Sequence, residues 1–254
     1  MAPQPAVKQE WIDALNAIRD HAVVDEVSLR RIEREATAAL KTADSLVRLV
    51  ALQVLGVAAA MRGNVRRTRE RFDEAFRIST GSVVVRNYIS ALQLLGLFDD
   101  SRRVALDMIQ RFPDEVDVLC VAVMAFAQVG DLIAVDALLQ RLRALNKSDR
   151  VTTALPDVDA FVLKATRLQV TSDDIAQRFE VALGALRALG LRVRGTASSQ
   201  RRSGELSLRF LCEADTATLV KANFAIANAI VTEFEEPLDD LITFGTLPSR
   251  GVFV

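Results

Sequence analysis

The sequence predicts a mainly α chain, an antiparallel array of helical hairpins followed by a small α+β domain, on three observations. Glycine turns recur at an even interval, apolar residues beside them keep helical spacing, and after Gly190 that spacing gives way to alternation. The turns are Arg62-Gly63-Asn64, Leu95-Gly96-Leu97-Phe98 and Val129-Gly130-Asp131, so the glycines stand 33 and 34 residues apart. A period of this length holds two amphipathic helices and a turn, a unit that buries its apolar stripe by stacking on its neighbours.

Composition bounds the function. The chain has 254 residues, 50% of them hydrophobic, with 11 glycines and 6 prolines, enough to bury a sizeable core in one or two domains. A formal net charge of −1 gives no whole-molecule attraction to nucleic acid or anionic lipid. Met1 to Glu10 lacks the basic start and apolar run of a signal peptide. The most apolar stretch, Leu46 to Met61, contains Arg48 and Gln53 and is shorter than the roughly 20 residues of a membrane span. Cys120 and Cys212 lie far apart in apolar segments and read as small buried hydrophobes, with a reducing cytoplasm as the expected location.

The elements follow in order. Trp11, Leu15 and Ile18, then Val27, Leu29, Ile32, Ala36 and Leu40, describe two helices without a glycine turn, as a terminal capping hairpin would have. The first clear unit, about residues 49–81, carries Leu52, Leu55, Gly56 and Ala59 on one helix and Phe72, Ala75 and Phe76 on the next. The second, about 82–115, has Tyr88, Leu92, the Gly96 turn, Ala105 and Met108, and closes at Phe112-Pro113, where proline cannot continue a helix. The third, about 116–149, keeps the stripe through Leu119, Ala122, Val123, Phe126, Val135, Leu139 and Leu142. Pro156 to Val170 and Ser172 to Leu189 continue in helical spacing. The second of these starts at Thr171-Ser172-Asp173-Asp174, a capping and dipole-matched sequence, and stops at Gly190.

Over about residues 49–149 the Leu55-Gly56 pair, the Gly63-Asn64 turn, Phe72, Ala75 and the closing Pro113 resemble the tetratricopeptide-repeat family. Thr68 and Ser101 stand where that family prefers alanine, and Ala59 where it often has tyrosine. The resemblance implies a concave groove lined by the first helix of each unit, here Gln53, Val57, Ala60, Arg86, Ser90, Gln93, Cys120, Met124 and Ala127. That lining is small and apolar with few lysine, arginine or asparagine side chains, which disfavours a carboxylate clamp and favours an apolar segment anchored at Arg86. The chain's own C-terminal domain, or another copy of the chain, are alternative occupants.

A domain boundary near 170 separates the array, residues 1–170, from an α+β domain, residues 171–254, in the order helix-strand-strand-helix-strand. Leu191, Val193 and Gly195, then Leu206, Leu208, Phe210 and Cys212, alternate with polar residues and predict a hairpin with one buried face. Its tip, Ser198 to Gly204, reads as a long, flexible, basic loop. Asp215-Thr216 opens a helix that ends near Glu233, Pro237 breaks the chain, and Leu241 to Phe244 form a last short strand.

Catalytic chemistry has little raw material. His21 is the only histidine, and no P-loop, Gly-x-Gly-x-x-Gly or Cys-x-x-Cys motif occurs. The pairs Asp99/Asp100 and Asp173/Asp174 read as helix starts, and Glu233 to Asp240, with Asp239/Asp240, as a solvated acidic loop. No catalytic residue, metal or cofactor is expected. Arg62, Arg66 and Arg69 share a helical face on which Glu70, Asp73 and Glu74 are interspersed, a paired solvent surface. Arg201 and Arg202 at the hairpin tip have no local partner, so Arg66, Arg69, Arg201 and Arg202 are the candidates for an acidic or phosphate contact. These features predict a non-enzymatic adaptor that binds a protein partner. The alternatives are an inhibitor or antitoxin-like module acting through the hairpin, and a nucleic-acid-associated factor using the arginines.

Overall fold

A computed structural model describes Trp11, residues 26–151 and residues 155–249. Leu15, Ile18 and His21 lie outside the described residues. Ten helices, packed in adjacent pairs, and one three-stranded sheet form among them, the helical array and α+β segment that the sequence predicts. The chain divides into two compact units, Met1–Leu95 and Gly96–Val254.

In the first unit, α1 (Glu26–Ala39) packs on α2 (Ser45–Met61), which packs in turn on α3 (Val65–Ile78) and α4 (Ser82–Leu94). Trp11 donates its indole N–H to Glu35 at 3.0 Å. Helix α2 is central, and Ala51, Leu52, Val54, Leu55, Ala58, Ala59 and Ala60 are all buried. Asp44 caps it through the amides of Leu46 and Val47, and Asn64 caps α3 through the amide of Arg67.

Gly56 and Thr68 both serve the contact between α2 and α3. A methyl group on Gly56 would stand 2.6 Å from the Phe72 ring, so the glycine makes room for the phenylalanine of the next helix. Thr68 is buried, and its hydroxyl donates to the carbonyls of Gly56 and Asn64 at 3.3 and 2.9 Å, a cross-helix bond alanine could not make. The arginine ridge is shorter than the sequence suggests. Arg62 belongs to the C-cap of α2, not to the α3 face, and pairs with Glu26 and Glu33 of α1.

In the second unit, α5 (Phe98–Arg111), α6 (Val116–Gln128), α7 (Leu132–Ala144) and α8 (Val158–Arg167) pack in succession, with a short 3-10 turn at Ser148–Arg150. Helix α9 (Ser172–Ala188) starts with the expected capping box between Thr171 and Asp174 and is followed by Gly190 at φ +70°. Then come β1 (Val193–Gln200), β2 (Leu206–Cys212), α10 (Thr216–Glu233) and β3 (Ile242–Pro248). Strand order is β1-β2-β3, with β1 and β2 antiparallel and β2 and β3 parallel. The parallel pairing follows from α10, the crossover between the two strands.

One core joins the parts of this unit. Phe98 and Val129 share it with Phe179, Leu183, Leu208, Phe210, Ala222 and Ile226. Packing therefore divides at Leu95/Gly96, inside the second sequence repeat, whereas the sequence pattern changes near Val170.

The hairpin differs from expectation. Ser198, Ser199 and Gln200 are the end of β1, paired with Leu208, Ser207 and Leu206, so the predicted long loop shrinks to a tight turn closed by Arg201 and Glu205. An edge strand tolerates exposed serines, and a register shift between Val193 and Gly195 breaks the alternation that would have announced them. The tip is anchored. Gly204 is buried at φ +89°, where a methyl group would meet the Ala160 carbonyl at 2.8 Å. Gln200 bonds the backbone N–H and C=O of Asp157, and Lys164 pairs with Glu205 at 3.0 Å. Strand β3 also runs on past Phe244 to Pro248, a residue an edge strand can accommodate because no ladder amide is lost.

Candidate protein-binding surfaces

Two of the repeat glycines seat the sheet. Gly96 has φ +70°, and a methyl group there would lie 2.7 Å from the Val193 carbonyl oxygen at the start of β1. Gly130, at φ +78°, would meet Ile242 at 2.8 Å and Leu206 and Leu208 slightly farther away. Thr196 donates to the carbonyl of Gln128 at 2.9 Å, a third tie between sheet and α6. Bare turns thus let the strands sit directly on the ends of the helical hairpins.

A buried ionic network locks α7 to α5 and α9. Asp131 is wholly buried, caps α7 through the amide of Ala134, and accepts from Ser172 at 2.8 Å. The Arg102 guanidinium reaches it at 3.4 Å, reaches Asp173 at 3.3 Å, and lies 5.7 Å above the Phe126 ring. Burial raises the Asp131 carboxyl above its ordinary range, against the opposing pull of those hydrogen bonds and Arg102.

Beside this network, a cleft of 270 Å³ between α5 and α9 is lined by Asp99, Arg103, Asp173, Gln177 and Glu180 as well as Arg102. The Glu180 carboxyl is raised by its hydrogen bond with Asp99, by burial and by the neighbouring Asp99 charge. Asp99 and Asp100 also pair with Arg103, and both aspartate pairs start helices as expected. Among the described residues no group of three or more histidine, cysteine, aspartate or glutamate side chains could hold a metal ion.

Helix α10 packs on α9 and β3, with Leu219, Ala222, Ile226 and Ile230 turned into the core. The opposite side of the helix is apolar as well. Val220, Phe224 and Val231 are 48%, 68% and 66% exposed, and with the exposed Ala217 and Ala227 they form one line at alternating steps of three and four. That spacing is the seam one helix offers another. The sequence carries this signal, but an all-round apolar helix reads as buried until its neighbours are known.

The predicted groove residues fall in both units. Gln53 and Ala60 are buried rather than available, Gln53 because its carboxamide accepts from Asn87, the equivalent residue one repeat later, at 2.7 Å. Val57, Arg86, Ser90 and Gln93 are half-buried on α2 and α4. Arg86 has an interaction partner, and the enclosed Gln93 Nε2 has no acceptor among the described residues. Cys120, Met124 and Ala127 are half-buried on α6. Cys120 is thus less enclosed than expected, whereas Cys212 is buried and its thiol is pushed up to about 11.

Of the arginine candidates, Arg66 pairs with Glu70 at 2.8 Å and Arg69 also has a partner. Arg201 is not unpaired, since Glu205 lies 3.5 Å away, and Arg202 is exposed at the tip. No helix among the described residues is long and apolar enough to cross a membrane. Comparison with family models, curated proteins and solved structures finds no match to the chain.

Proposed function

We propose that the chain is a non-enzymatic protein-binding scaffold, tetratricopeptide-like over residues 49–149, that presents α10 as a docking face. The observation that carries this reading is the exposed line Val220, Phe224 and Val231 on a helix whose other side is well packed. Covering such side chains is worth about 1.5–3 kcal/mol each when burial is complete. Contiguous exposed apolar surface of this kind marks an interaction site more often than an accident of packing. The half-buried row Val57, Ser90 and Gln93, with Arg86 as its polar anchor, is the place for a second contact in the groove geometry of the family. The hairpin and nucleic-acid readings have less support, because the tip is packed on α8 and Arg66 and Arg201 are paired.

Co-purification of the tagged full chain from cells of its source tests the reading. The Phe224→Asp variant is expected to fold normally, since the ring lies in solvent, and to lose the associated protein, while Arg86→Glu retains it. Unchanged association in Phe224→Asp would remove α10 from the interface, and loss in Arg86→Glu alone would move the contact to the groove row.

A further inference from the structure

The side of the sheet away from the core carries an arginine without a counterion among the described residues. Along β2, Leu206, Leu208, Phe210 and Cys212 are buried, and Ser207, Arg209 and Leu211 occupy the other face. Arg209 stands opposite Ala197 on β1 and Gly245 on β3. Its guanidinium rests in the notch that Gly245 leaves, for a methyl group there would lie 1.8 Å from Arg209 Nη1. The same point is 3.2 Å from Asn223 Oδ1 of α10. Asn223 spends that oxygen on the amide and hydroxyl of Thr246, at 2.7 and 3.0 Å, which leaves its amide hydrogens as donors. Among the described residues Arg209 has no hydrogen-bonding or ion-pair partner, and neither does the Asn223 amide nitrogen.

At 3.6 residues per turn, Asn223 borders the exposed apolar line through its neighbours Val220, Phe224 and Ala227, and Lys221 borders it on the other side. The apolar line therefore runs between Lys221 on one side and, on the other, Asn223 with the Arg209 guanidinium beside it. From this juxtaposition we infer that the partner of α10 is an amphipathic α-helix carrying an acidic side chain beside its apolar seam, with that carboxylate held by Arg209 and Asn223 over Gly245. This inference rests on the protein-binding reading above and adds the partner's charge to it. A guanidinium and a carboxamide offer a carboxylate several donors in a fixed arrangement, and a glycine floor allows the close approach. A second copy of this chain fits less well, because acidic Glu213 and Asp215 precede α10 and Glu233, Glu235 and Glu236 follow it, so an antiparallel self-pairing centred on Phe224 sets acid against acid.

The probe is a synthetic helical peptide with leucines at alternating steps of three and four and glutamates on both flanks, compared with the same peptide carrying lysines. Fluorescence anisotropy with the full chain is expected to give roughly tenfold tighter binding of the acidic peptide, about 1.4 kcal/mol. Arg209→Glu is expected to abolish that preference, and Phe224→Asp to abolish binding of both peptides. If Phe224→Asp abolishes binding while Arg209→Glu leaves the preference intact, the acidic anchor is wrong and the docking face stands. If Phe224→Asp leaves both affinities unchanged, the docking face itself fails. Sedimentation showing a dimer that Phe224→Asp dissociates would assign the face to a second copy and overturn the inference.

Discussion

Gly96→Ala is expected to destabilise the chain far more than Gly190→Ala, although both glycines have φ +70°. A left-handed conformation costs a non-glycine residue roughly 1–2 kcal/mol. Gly190 has no atom within 4 Å of an added methyl group, so its substitution reads that strain alone. At Gly96 the methyl group also meets the Val193 carbonyl at 2.7 Å, a backbone atom that cannot rotate away. Overpacking of this kind adds about 1–3 kcal/mol. For a chain of this size about 1 kcal/mol corresponds to roughly 2–4 °C of melting temperature. Gly190→Ala should therefore lower Tm by about that much, and Gly96→Ala by about two to three times as much. Equal shifts in thermal melts would mean that β1 does not sit on the turn.

Asp131→Ala is the second large effect, about 3–5 kcal/mol, because it leaves the Arg102 guanidinium buried with only the exposed Asp173 as a counterion. It also removes the cap of α7 and the acceptor for Ser172. The raised Asp131 carboxyl means that the ionised form is not itself comfortable in the core. This group's own contribution to stability is therefore present in full below its unfolded pKa and is lost as pH rises through its folded pKa. The orphaned Arg102 charge predicts a rescue. Adding Arg102→Met to Asp131→Ala should recover part of the loss in urea titrations, since the orphaned charge goes with it. A double variant no more stable than Asp131→Ala would contradict this assignment of the penalty.

Much of the helical part was legible because its signals are local. Thr171 and Asp215 cap the helices that the sequence starts with them, and Gly190 stops the helix before it, whereas Asn64 and Asp131, turn residues by spacing, prove to be caps as well. The repeat glycines were read as turns, which they are. Their second duty, admitting the sheet at Gly96 and Gly130, depends on strands about 75 to 110 residues away, and no spacing announces it. Register alone assigns Gln53 and Ala60 to a groove, but burial is decided by α4 and by the carboxamide pair with Asn87. The β1 serines were hidden by a bulge and by the low apolar content of an edge strand. In the sequence Arg209 is one polar residue in a single strand of alternating residues. Its meaning comes from Gly245 and Asn223, which meet it only after β3 returns parallel to β2.

The outer face of α10 is expected to touch a protein in the cell. Replacing Phe224 with the photo-crosslinking residue benzoylphenylalanine in cells of the source organism measures this most directly. Irradiation is expected to give one discrete adduct with another protein, identified by mass spectrometry, that is absent when the same residue replaces the exposed Leu163 on α8. Only uncrosslinked chain at position 224, or the same adducts from both positions, would contradict the claim.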